Sequence, residues 1–377
     1  MTSTYDDAVV GAGILGLAHA FHLARSGRRV IVFERSARAC GASIRNFGMV
    51  WPIGQPFGPL HDLAMRSREV WLEVLTAADL WHDRVGSLHL AYRDDEAQVL
   101  REFVEQARAA GAACEFLTPN QVAARSSAIK TLGLVAGMWS PTETCVDPRL
   151  IISRLPDWLS REFGVRFEFG TAVTAYERPT LWAGGSRWTA ERLFVCSGAD
   201  FESLYPGVHA SAGFVRCKLQ MMRSQACGGA FRLGPMLAGG LTLRHYKNFQ
   251  DCSTLAAVKA RVAHENPEFD RYGIHVMASQ NGQGELVIGD SHEYGDEIEI
   301  FDKPEIDRMI LDYLHTFLNM PELSIAARWH GIYAKHPRDA YFVARPAPGV
   351  TITNGVGGAG MTLSFGLAEK VVSATER

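Results

Sequence analysis

The first 34 residues alternate between apolar runs and glycine-rich turns in the order that builds a parallel sheet. Residues 8–10 are a short apolar run that predicts a buried strand, and a glycine-rich turn follows them. Residues 17–25 have the pattern of a buried helix that ends at Gly27, and residues 29–34 predict a second strand. Because a strand, a helix and a second strand connected in this way form a βαβ unit, we expect an α/β domain to begin here.

Beyond this unit, helical and strand-like patterns alternate in separated pieces of the chain. Apolar residues recur at helical spacing in residues 60–77, 97–110 and 304–318, and further helices are expected from Pro148 and from about Met361. Strands are predicted at residues 165–169, 193–196, 274–278, 285–288 and 350–353. The fold class we expect is α/β, with a Rossmann-like domain interleaved with an α+β domain built on a mixed sheet.

The turn after the first strand carries a nucleotide-binding pattern, Gly11-Ala12-Gly13-Ile14-Leu15-Gly16. Gly11 permits the tight turn, Gly13 lets the backbone approach a pyrophosphate, and Gly16 lets the helix pack on the strand. Glu34 follows 23 residues after Gly11, and its carboxylate can accept both ribose hydroxyls while repelling a 2′-phosphate. The pattern therefore predicts FAD or NAD, rather than NADP, with the phosphates at the helix N-terminus.

Charge and cysteine content narrow the class of protein. The 38 basic and 41 acidic residues give a net charge of −3, so a broad nucleic-acid footprint is not expected. The seven cysteines are scattered, odd in number and without a C-x-x-C pair, which favours a reducing cytoplasm over a disulfide framework. No signal-peptide pattern precedes the first strand, and residues 8–24 are too short and too rich in glycine and histidine for a membrane span.

Four places in the chain together resemble the D-amino-acid oxidase superfamily of flavoproteins, the group that holds glycine oxidase and monomeric sarcosine oxidase. They are the glycine motif with Glu34, residues 41–46, residues 193–199 and the glycine-rich residues 355–362 before the last helix. An NAD dehydrogenase would need only the first of these, so the resemblance, which spans nearly the whole chain, implies FAD. It assigns residues 1–82, 147–213 and 327–377 to an FAD-binding domain and residues 83–146 and 214–326 to a substrate domain.

In this family the loop after the second strand crosses the cofactor. The resemblance places Ser43 at the pyrophosphate, Arg45 and Asn46 beside the flavin, and the backbone of Val173 at the adenine. The last helix points its N-terminus at the flavin, where the N–H of Thr362 can bond the pyrimidine edge and the helix dipole stabilises negative charge on the reduced ring. The residues expected to bind the cofactor are Gly11, Ala12, Gly13, Ile14, Leu15, Gly16, Glu34, Arg35, Ala42, Ser43, Arg45, Asn46, Val173, Ser197, Gly198, Gly331, Gly357, Gly358, Ala359, Gly360, Met361 and Thr362.

Three positions depart from the family pattern. Gly331 stands where monomeric sarcosine oxidases attach FAD to a cysteine, which implies non-covalent FAD in this chain. Val287 stands where those enzymes use a lysine for oxygen activation. Tyr333, with Lys335 and His336 close behind it, stands where glycine oxidase grips the substrate carboxylate with an arginine. The usual α-carboxylate clamp is therefore absent or rebuilt.

Two segments, residues 45–56 and 289–294, resemble a bacterial branch of the superfamily associated with phosphonate catabolism. That resemblance implies oxidation of 2-aminoethylphosphonate or an N-alkylated form of it, and a phosphonate dianion requires several cationic or hydroxyl donors. The residues expected to contact the substrate are Arg45, His245, Tyr246, His292, Tyr333, Lys335 and His336. The residues expected to be catalytic are Arg45, Tyr246, Trp329, Tyr333 and Lys335.

The polar residues 290–293 lack metal-ligand spacing such as H-x-x-x-H, so we expect a loop over the pocket and no metal site. The sequence predicts an FAD-dependent amine oxidase whose imine product hydrolyses to an aldehyde and an amine, with dioxygen as acceptor and hydrogen peroxide as product. Three alternatives remain open. They are a glycine- or sarcosine-type oxidase with a relocated carboxylate clamp, an FAD dehydrogenase that passes electrons to a quinone or a partner protein, and a non-catalytic flavin-storage protein.

Overall fold

A computed structural model describes residues 4–228, 231–295, 297–320 and 322–375 of the chain. The ten α-helices of these residues are α1 (Ile14–Arg25), α2 (Pro59–Ala77), α3 (Asp94–Ala109), α4 (Pro119–Arg125), α5 (Pro148–Phe163), α6 (Pro206–Ala212), α7 (Leu255–Glu265), α8 (Pro267–Arg271), α9 (Pro304–Phe317) and α10 (Gly360–Ser373). Their first twelve strands are β1 (Thr4–Val10), β2 (Val30–Glu34), β3 (Met49–Val50), β4 (His82–Asp83), β5 (Ser87–Ala91), β6 (Glu115–Leu117), β7 (Ala136–Ser140), β8 (Thr144–Val146), β9 (Arg166–Phe169), β10 (Val173–Glu177), β11 (Thr180–Ala183) and β12 (Ser186–Val195). The remaining eight are β13 (Val215–Ala226), β14 (Met236–Ala238), β15 (Met277–Gln280), β16 (Glu285–Gly289), β17 (Glu293–Gly295), β18 (Ile325–Lys335), β19 (Phe342–Ala344) and β20 (Val350–Asn354).

The first sheet has a parallel centre, as the βαβ pattern predicts. Within the described ranges it has eight strands, and β1 lies between β12 and β2. β2 pairs with β9 and β12 pairs with β20, all in parallel, whereas β10, β11 and β19 extend the sheet by antiparallel pairs. Helices α1, α2, α5 and α10 bury one apolar cluster against it, and α6 packs on a second cluster. This is the Rossmann-like unit, with α1 leading directly from the central strand.

The second sheet is mixed and mostly antiparallel. The described residues give it nine strands in the order β17-β13-β16-β15-β14-β5-β7-β6, with β18 also paired to β13. β13 and β18 are the long members, and they run antiparallel over nearly their whole length. Helices α3, α7 and α9 contribute to the largest apolar cluster, which this sheet covers. A small third sheet of β3, β8 and β4 connects the two layers.

The predicted fold class is confirmed, with local differences. Helix α1 begins at Ile14 rather than at residue 17, because the last part of the glycine turn already has helical geometry with Gly13 as N-cap. The hairpin of β15 and β16 forms as predicted. Strand β18 pairs with β13, so residues 327–335 lie in the second sheet, although the boundary expected at residue 327 would begin an FAD-domain segment there.

No helix in the parts of the chain described by the structure combines the length and the apolar character that a membrane crossing requires.

Candidate active site

The turn from β1 to α1 has no room for side chains at its glycines. A Cβ on Gly11 would lie 2.5 Å from a carbonyl oxygen just beyond β12, and a Cβ on Gly16 would lie 1.8 Å from the carbonyl oxygen of Gly11. Gly13 gives α1 no side-chain cap, and the N–H of Ile14 donates to the Ser43 hydroxyl at 2.9 Å. The N-terminus of α1 therefore faces the loop that the family resemblance places at a pyrophosphate.

Glu34 ends β2 beside this turn and is held by two backbone N–H groups. Its carboxylate accepts from the N–H of Ala12 at 3.1 Å and from the N–H of Ser36 at 2.9 Å. A narrow pocket of about 80 Å³ continues from the carboxylate, and its lining includes Arg35, Val173 and Ser197. The neighbouring Gly198 accepts from a side-chain amide at the end of β20 at 2.9 Å. The structure thus brings the residues predicted for the ribose and adenine to one pocket.

Residues 42–46 connect this turn to the second sheet. The Asn46 side chain donates to two backbone carbonyls of its own loop, at 3.0 and 3.1 Å, and so braces the loop. Nη1 of Arg45 donates to the carbonyl of His330 in β18 at 3.0 Å. A Cβ on Gly331 would lie 3.2 Å from the Arg45 carbonyl oxygen, so glycine at this position lets the loop lie against the strand.

The glycine cluster before α10 lies against the same strand. A Cβ on Gly357 would lie 3.8 Å from Cγ of Lys335, and a Cβ on Gly358 would lie 3.8 Å from the hydroxyl oxygen of Tyr333. Helix α10 starts at Gly360, and its N-cap, Ala359, provides no side-chain cap. The positive end of α10 is therefore open to a ligand at the place predicted for the flavin.

Two hydrogen bonds anchor the first turn of α10. The Thr362 hydroxyl accepts from the backbone N–H of Trp51 at 3.0 Å, and the Met361 carbonyl accepts from the indole of Trp71 at 2.6 Å. The Thr362 side chain thus positions the segment around residue 51, and the cofactor contact predicted for this residue is by its backbone N–H.

One face of the second sheet packs against the 42–47 loop. Its buried members are Cys217, Leu219, Met221, Val287 and Tyr333. A pocket of about 530 Å³ opens beside this face, with Arg45, Asn46, Val287 and Trp329 among its lining residues. The indole N–H of Trp329 is buried and has no hydrogen-bond partner among the described residues, so a polar ligand group is expected to satisfy it.

Five of the residues predicted to contact the substrate lie together at the other end of this face. They are His245, Tyr246, His292, Tyr333 and Lys335. The ring centroid of His245 lies 4.2 Å from that of His292 and 5.1 Å from that of Tyr246, and the centroid of Tyr333 lies 6.3 Å from that of His292. Nζ of Lys335 donates to the hydroxyl of Tyr294 at 3.0 Å. This group, which we call the substrate cluster, combines an ammonium with several phenols.

Arg45 and His336 lie outside the substrate cluster. Arg45 lines the 530 Å³ pocket near Trp329. The ring of His336 packs against those of Phe214 and Phe342, with centroids 5.7 and 5.6 Å away, and its Nδ1 accepts from a backbone N–H at 2.9 Å. The structure therefore brings His336 to an aromatic contact behind the cluster rather than to Tyr333.

Burial decides the protonation states of the substrate cluster. It lowers the pKa of His292 to about 4 and lowers the pKa of His245 well below its ordinary range. Burial also lowers the pKa of Lys335, and it raises the pKa values of Tyr333 and Tyr246 above the ordinary range of a phenol. At pH 7 the two histidines are therefore neutral and the phenols remain protonated donors.

Sequence reasoning missed His275. Its ring centroid lies 4.0 Å from that of His245, and its Nε2 lies 2.8 Å from a carboxylate oxygen of Asp290. Asp290 was expected only as part of a polar loop. The signal in the sequence is a single polar residue inside the apolar run 274–278, because a buried polar side chain needs a partner.

Comparison with known proteins identifies the family of this chain. A family model described as FAD dependent oxidoreductase (DAO) matches residues 6–374. The chain belongs to the DAO family. The predicted superfamily, the oxidoreductase class and the FAD cofactor are thereby confirmed for this chain. The glycine turn, the Glu34 pocket and the open N-terminus of α10 fit such a cofactor.

The DAO-family chain also has individual relatives. It is 30% identical over 210 residues to the glycine oxidase of Geobacillus kaustophilus (strain HTA426), a match that covers 53% of this chain and 56% of that protein. The chain thus spans about half the length of this curated relative. In solved structures it is similar to glycine oxidase from Bacillus cereus ATCC 14579, with a TM-score of 0.80, 17% identity and coverage of 99% and 95% of the two chains.

A second solved structure shows how broadly the DAO fold is used. The FAD-bound L-alpha-glycerophosphate oxidase of Mycoplasma pneumoniae has a TM-score of 0.76 and 16% identity, and the match covers 100% of this chain and 95% of that one. At these identities the likeness establishes the fold. Because a glycine oxidase and a glycerophosphate oxidase share this fold, the substrate of the DAO-family chain has to be argued from its own pocket.

Proposed function

We propose that this protein oxidises the C–N bond of a small anionic amine, 2-aminoethylphosphonate or an N-alkylated form of it. The imine formed hydrolyses in water to an aldehyde and an amine, and dioxygen is the proposed final acceptor, yielding hydrogen peroxide. When bound, FAD supplies the two-electron chemistry. The observation that carries the proposal is the substrate cluster: Tyr333 stands where the family resemblance puts an arginine clamp, and Lys335, close behind it, donates to the hydroxyl of Tyr294.

The proposal assigns the cofactor to the two pockets that the 42–46 loop connects. Glu34 would hold the ribose, the N-terminus of α1 and the Ser43 hydroxyl would hold the pyrophosphate, and the residues at the start of α10 would stabilise negative charge on the flavin. The non-covalent attachment expected from Gly331 is part of the same proposal, since glycine provides no atom for a covalent link.

The chemistry of the substrate cluster favours a phosphonate over a carboxylate. An arginine matches a planar carboxylate with two parallel hydrogen bonds, whereas lysine acts as a compact point charge. An ammonium beside the hydroxyl of Tyr294, with the phenol of Tyr333 in the same cluster, offers donors in several directions, which suits the three oxygens of a tetrahedral phosphonate. The neutral His245 and His292 leave Lys335 as the positive partner of the dianion.

The rest of the site orients the amine and excludes water. The buried face of Cys217, Leu219, Met221 and Val287 forms an apolar wall between the two ends of β18. A substrate anchored by its anion at Lys335 is thereby held in one orientation, and such positioning lowers the barrier for a bimolecular reaction. The contribution of these residues is orientation, and no strong acid or base is needed from them.

The test is anaerobic mixing of the FAD-loaded protein with N-methyl-2-aminoethylphosphonate, 2-aminoethylphosphonate, sarcosine and glycine, followed by flavin absorbance. We expect rapid bleaching by a phosphonate amine and none by glycine or sarcosine. Bleaching by glycine or sarcosine alone would reject the phosphonate and favour the second candidate, an amino-acid oxidase, which the 30% identity to a glycine oxidase supports. Bleaching by none of the four would reject both substrates.

The electron acceptor is tested separately, because Val287 favours an alternative. Its side chain is buried and apolar at the position where the family resemblance puts an oxygen-activating lysine. When the bleached protein is mixed with oxygenated buffer, the yellow colour of the oxidised flavin is expected to return within the time of one catalytic turnover, with release of hydrogen peroxide. Slow recovery in oxygen, with fast recovery on adding a quinone, would replace the oxidase by a dehydrogenase.

The cytoplasmic location and the domain boundaries are further parts of the proposal. All seven cysteines are free in the structure, including four that are buried, which suits a reducing compartment. The boundaries of the FAD-binding domain at residues 1–82, 147–213 and 327–377 are supported by the strands of the first sheet, with the exception of β18.

A further inference from the structure

Three histidines that are distant in the chain converge at the substrate cluster. One ring nitrogen of each of His245, His275 and His292 lies within 4.8 Å of the corresponding nitrogens of the other two. His275 stands just before β15 and His292 just after β16, and these antiparallel strands place the two residues side by side. His245 reaches them from the end of the short 3-10 helix Gly240–Arg244.

Two of these rings have an oxygen atom close to one nitrogen, and in His292 this contact is a hydrogen bond. Nε2 of His275 lies 2.8 Å from a carboxylate oxygen of Asp290, and Nδ1 of His292 lies 3.3 Å from the carbonyl oxygen of Gly273. The Gly273 carbonyl holds the ring proton of His292 at Nδ1 and leaves a lone pair on Nε2. Histidines that bind metals in proteins have this arrangement, with a carboxylate or carbonyl as outer partner.

A ligand is also indicated by polar atoms that lack partners. His275 is 2% exposed, and its Nδ1 has no hydrogen-bond partner in the described part of the chain. Nε2 of His275 and Oδ1 of Asp290, which is 5% exposed, are 2.8 Å apart, but neither atom makes a hydrogen bond within the described residues. Buried imidazole and carboxylate groups without such partners are costly, and a bound cation would satisfy both.

The charge around the three rings selects a cation over an anion. A neutral imidazole that donates outward presents a lone pair inward, and an anion would need N–H donors there. The Asp290 carboxylate, 2.8 Å from His275 and 3.9 Å from His292, would repel an anion held by these two rings. The same carboxylate would partly neutralise a positive ion.

We propose that His245, His275 and His292 bind one divalent transition-metal ion, of the class to which Zn²⁺ belongs, with Asp290 as an outer partner. Imidazole nitrogens suit zinc and its neighbours, and zinc sites with three protein ligands keep a fourth position open. His245 is only half-buried, which gives the ion a path from solvent. The spacing of these residues in the sequence, 30 and 17 residues apart, matches no short metal motif, which is why the sequence alone predicts no metal.

The open position has a role in the proposed reaction. The ring centroid of Tyr333 lies 6.3 Å from that of His292, so the site borders the part of the substrate cluster that is proposed to hold the substrate anion. A phosphonate oxygen would complete the metal coordination. The metal ion would then supply the positive charge that the missing arginine does not. This second step rests on the proposed function, whereas the metal site does not.

The first experiment measures metal content in the FAD-loaded protein. Wild-type protein treated with chelator, supplied with Zn²⁺ and dialysed is expected to retain about one zinc per chain by elemental analysis. His275→Gln and His292→Gln are expected to lose it. His209→Gln is the matched control, since the ring nitrogens of His209 are also buried without hydrogen-bond partners among the described residues, but His209 lies outside the cluster. Wild-type protein without zinc, or zinc retained by both cluster variants, would overturn the site.

Two further measurements keep the test independent of folding defects in the variants. Asp290→Asn is expected to weaken zinc affinity by roughly tenfold to a hundredfold, while flavin absorbance shows that the protein is folded. Wild-type protein titrated with Co²⁺ after the flavin is bleached with dithionite is expected to show the visible bands of cobalt bound to nitrogen ligands. Unperturbed Co²⁺ spectra would contradict the site without the use of any variant.

The anion-binding step is measured with ethylphosphonate, which has the anion but no amine. Calorimetry is expected to show at least about tenfold tighter binding to the zinc-loaded protein than to the zinc-free protein. Equal affinities of ethylphosphonate for the two forms would leave the metal site standing but would show that the metal does not bind the substrate anion. Bleaching by glycine or sarcosine alone would instead reject the phosphonate substrate and leave the zinc measurements standing.

Discussion

Lys335 holds its ammonium 3.0 Å from the Tyr294 hydroxyl, in the substrate cluster proposed to bind the phosphonate. Lys335→Met removes the charge and keeps most of the side-chain length. We expect the KM for the phosphonate amine to rise roughly tenfold to a hundredfold, because a hydrogen bond to a charged group is worth about 1.5–3 kcal/mol. FAD content is expected to stay the same. Steady-state kinetics and flavin absorbance measure the two effects.

Lys259→Met is the matched control for this change. Its ammonium bonds Gln250 on the exposed side of α7 at 2.7 Å, away from the substrate cluster. The control is expected to keep the wild-type KM. An unchanged KM in Lys335→Met as well would remove Lys335 from the pocket.

Single residues also show what the sequence can and cannot predict. Glu34 could be placed from sequence because its role is fixed by local spacing after the glycine turn, and the structure holds it there by the N–H of Ala12. His275 could not, because its neighbours His245 and Asp290 are brought to it by tertiary folding. Histidine spacing carries no information when three separate segments supply the ligands.

At the scale of elements, the contact between β1 and α1 depends on the absence of one methyl group. A Cβ on Gly16 would lie 1.8 Å from the carbonyl oxygen of Gly11, and this oxygen belongs to backbone that cannot move aside easily. Gly16→Ala is therefore expected to displace α1 from the strand and to abolish FAD binding. Absorbance of the purified protein at the flavin band reports the loss.

Gly41→Ala is the control for this change. It tests whether replacing any glycine near the cofactor region abolishes FAD binding. A Cβ on Gly41 would meet no atom of the described residues within 4 Å, and the backbone of this residue is extended with a φ of −80°. The variant is expected to be yellow with a wild-type FAD content. Normal flavin in Gly16→Ala would refute the packing argument.

Helix α1 contains a source of acid sensitivity. Burial lowers the pKa values of His19 and His22 from 6.5 to about 4, so the folded protein keeps both neutral while the unfolded chain protonates them near pH 6.5. Their stabilising contribution is complete above pH 6.5 and is lost as the pH falls from 6.5 towards 4, by roughly 3 kcal/mol for each residue.

Urea unfolding between pH 7 and 4 measures this loss. His19→Gln keeps a side chain able to bond the Leu15 carbonyl and the Thr353 hydroxyl, which both lie within hydrogen-bond distance of His19, but it does not titrate. The variant is expected to lose less stability on acidification than the wild type. Parallel pH profiles for the two proteins would show that His19 contributes nothing to the acid sensitivity.

Helices and strands are easier to predict from the sequence than the pairing between strands. The hairpin of β15 and β16, helix α9 and helix α10 follow from periodicity over adjacent residues. The sheet that β18 joins does not, because its pairing with β13 links residues about a hundred positions apart. Local pattern therefore predicts that a strand exists, and tertiary packing decides where it lies.

For the molecule as a whole, a network of charged residues connects helix α5, which packs on the first sheet, with strands of the second sheet. Arg149 in α5 lies 2.9 Å from Glu285 in β16, and Arg223 in β13 lies 3.0 Å from the same carboxylate. Glu285→Gln would leave two guanidinium groups without this partner. We expect a loss of about 1–3 kcal/mol of unfolding free energy, measured by chemical denaturation.

Glu191→Gln is the control for this network. Its pair with Arg178 lies in the first sheet, and both side chains are about half exposed, at 48% and 53%. Such a pair contributes little, so a loss below about 0.5 kcal/mol is expected. Equal losses in the two variants would argue against a special role for the network between layers.

Strand β18 carries Trp329, Gly331 and Tyr333 at alternate positions, facing the pocket, the 42–46 loop and the substrate cluster in turn. Since side chains alternate between faces, inserting or deleting one residue of the strand ahead of Trp329 would turn all three away together. Related proteins that keep this strand can therefore change substrate through single substitutions. A change in the length of the strand would disrupt the whole site. Directed evolution of the enzyme should accordingly use substitution libraries at fixed positions and leave the length of β18 untouched.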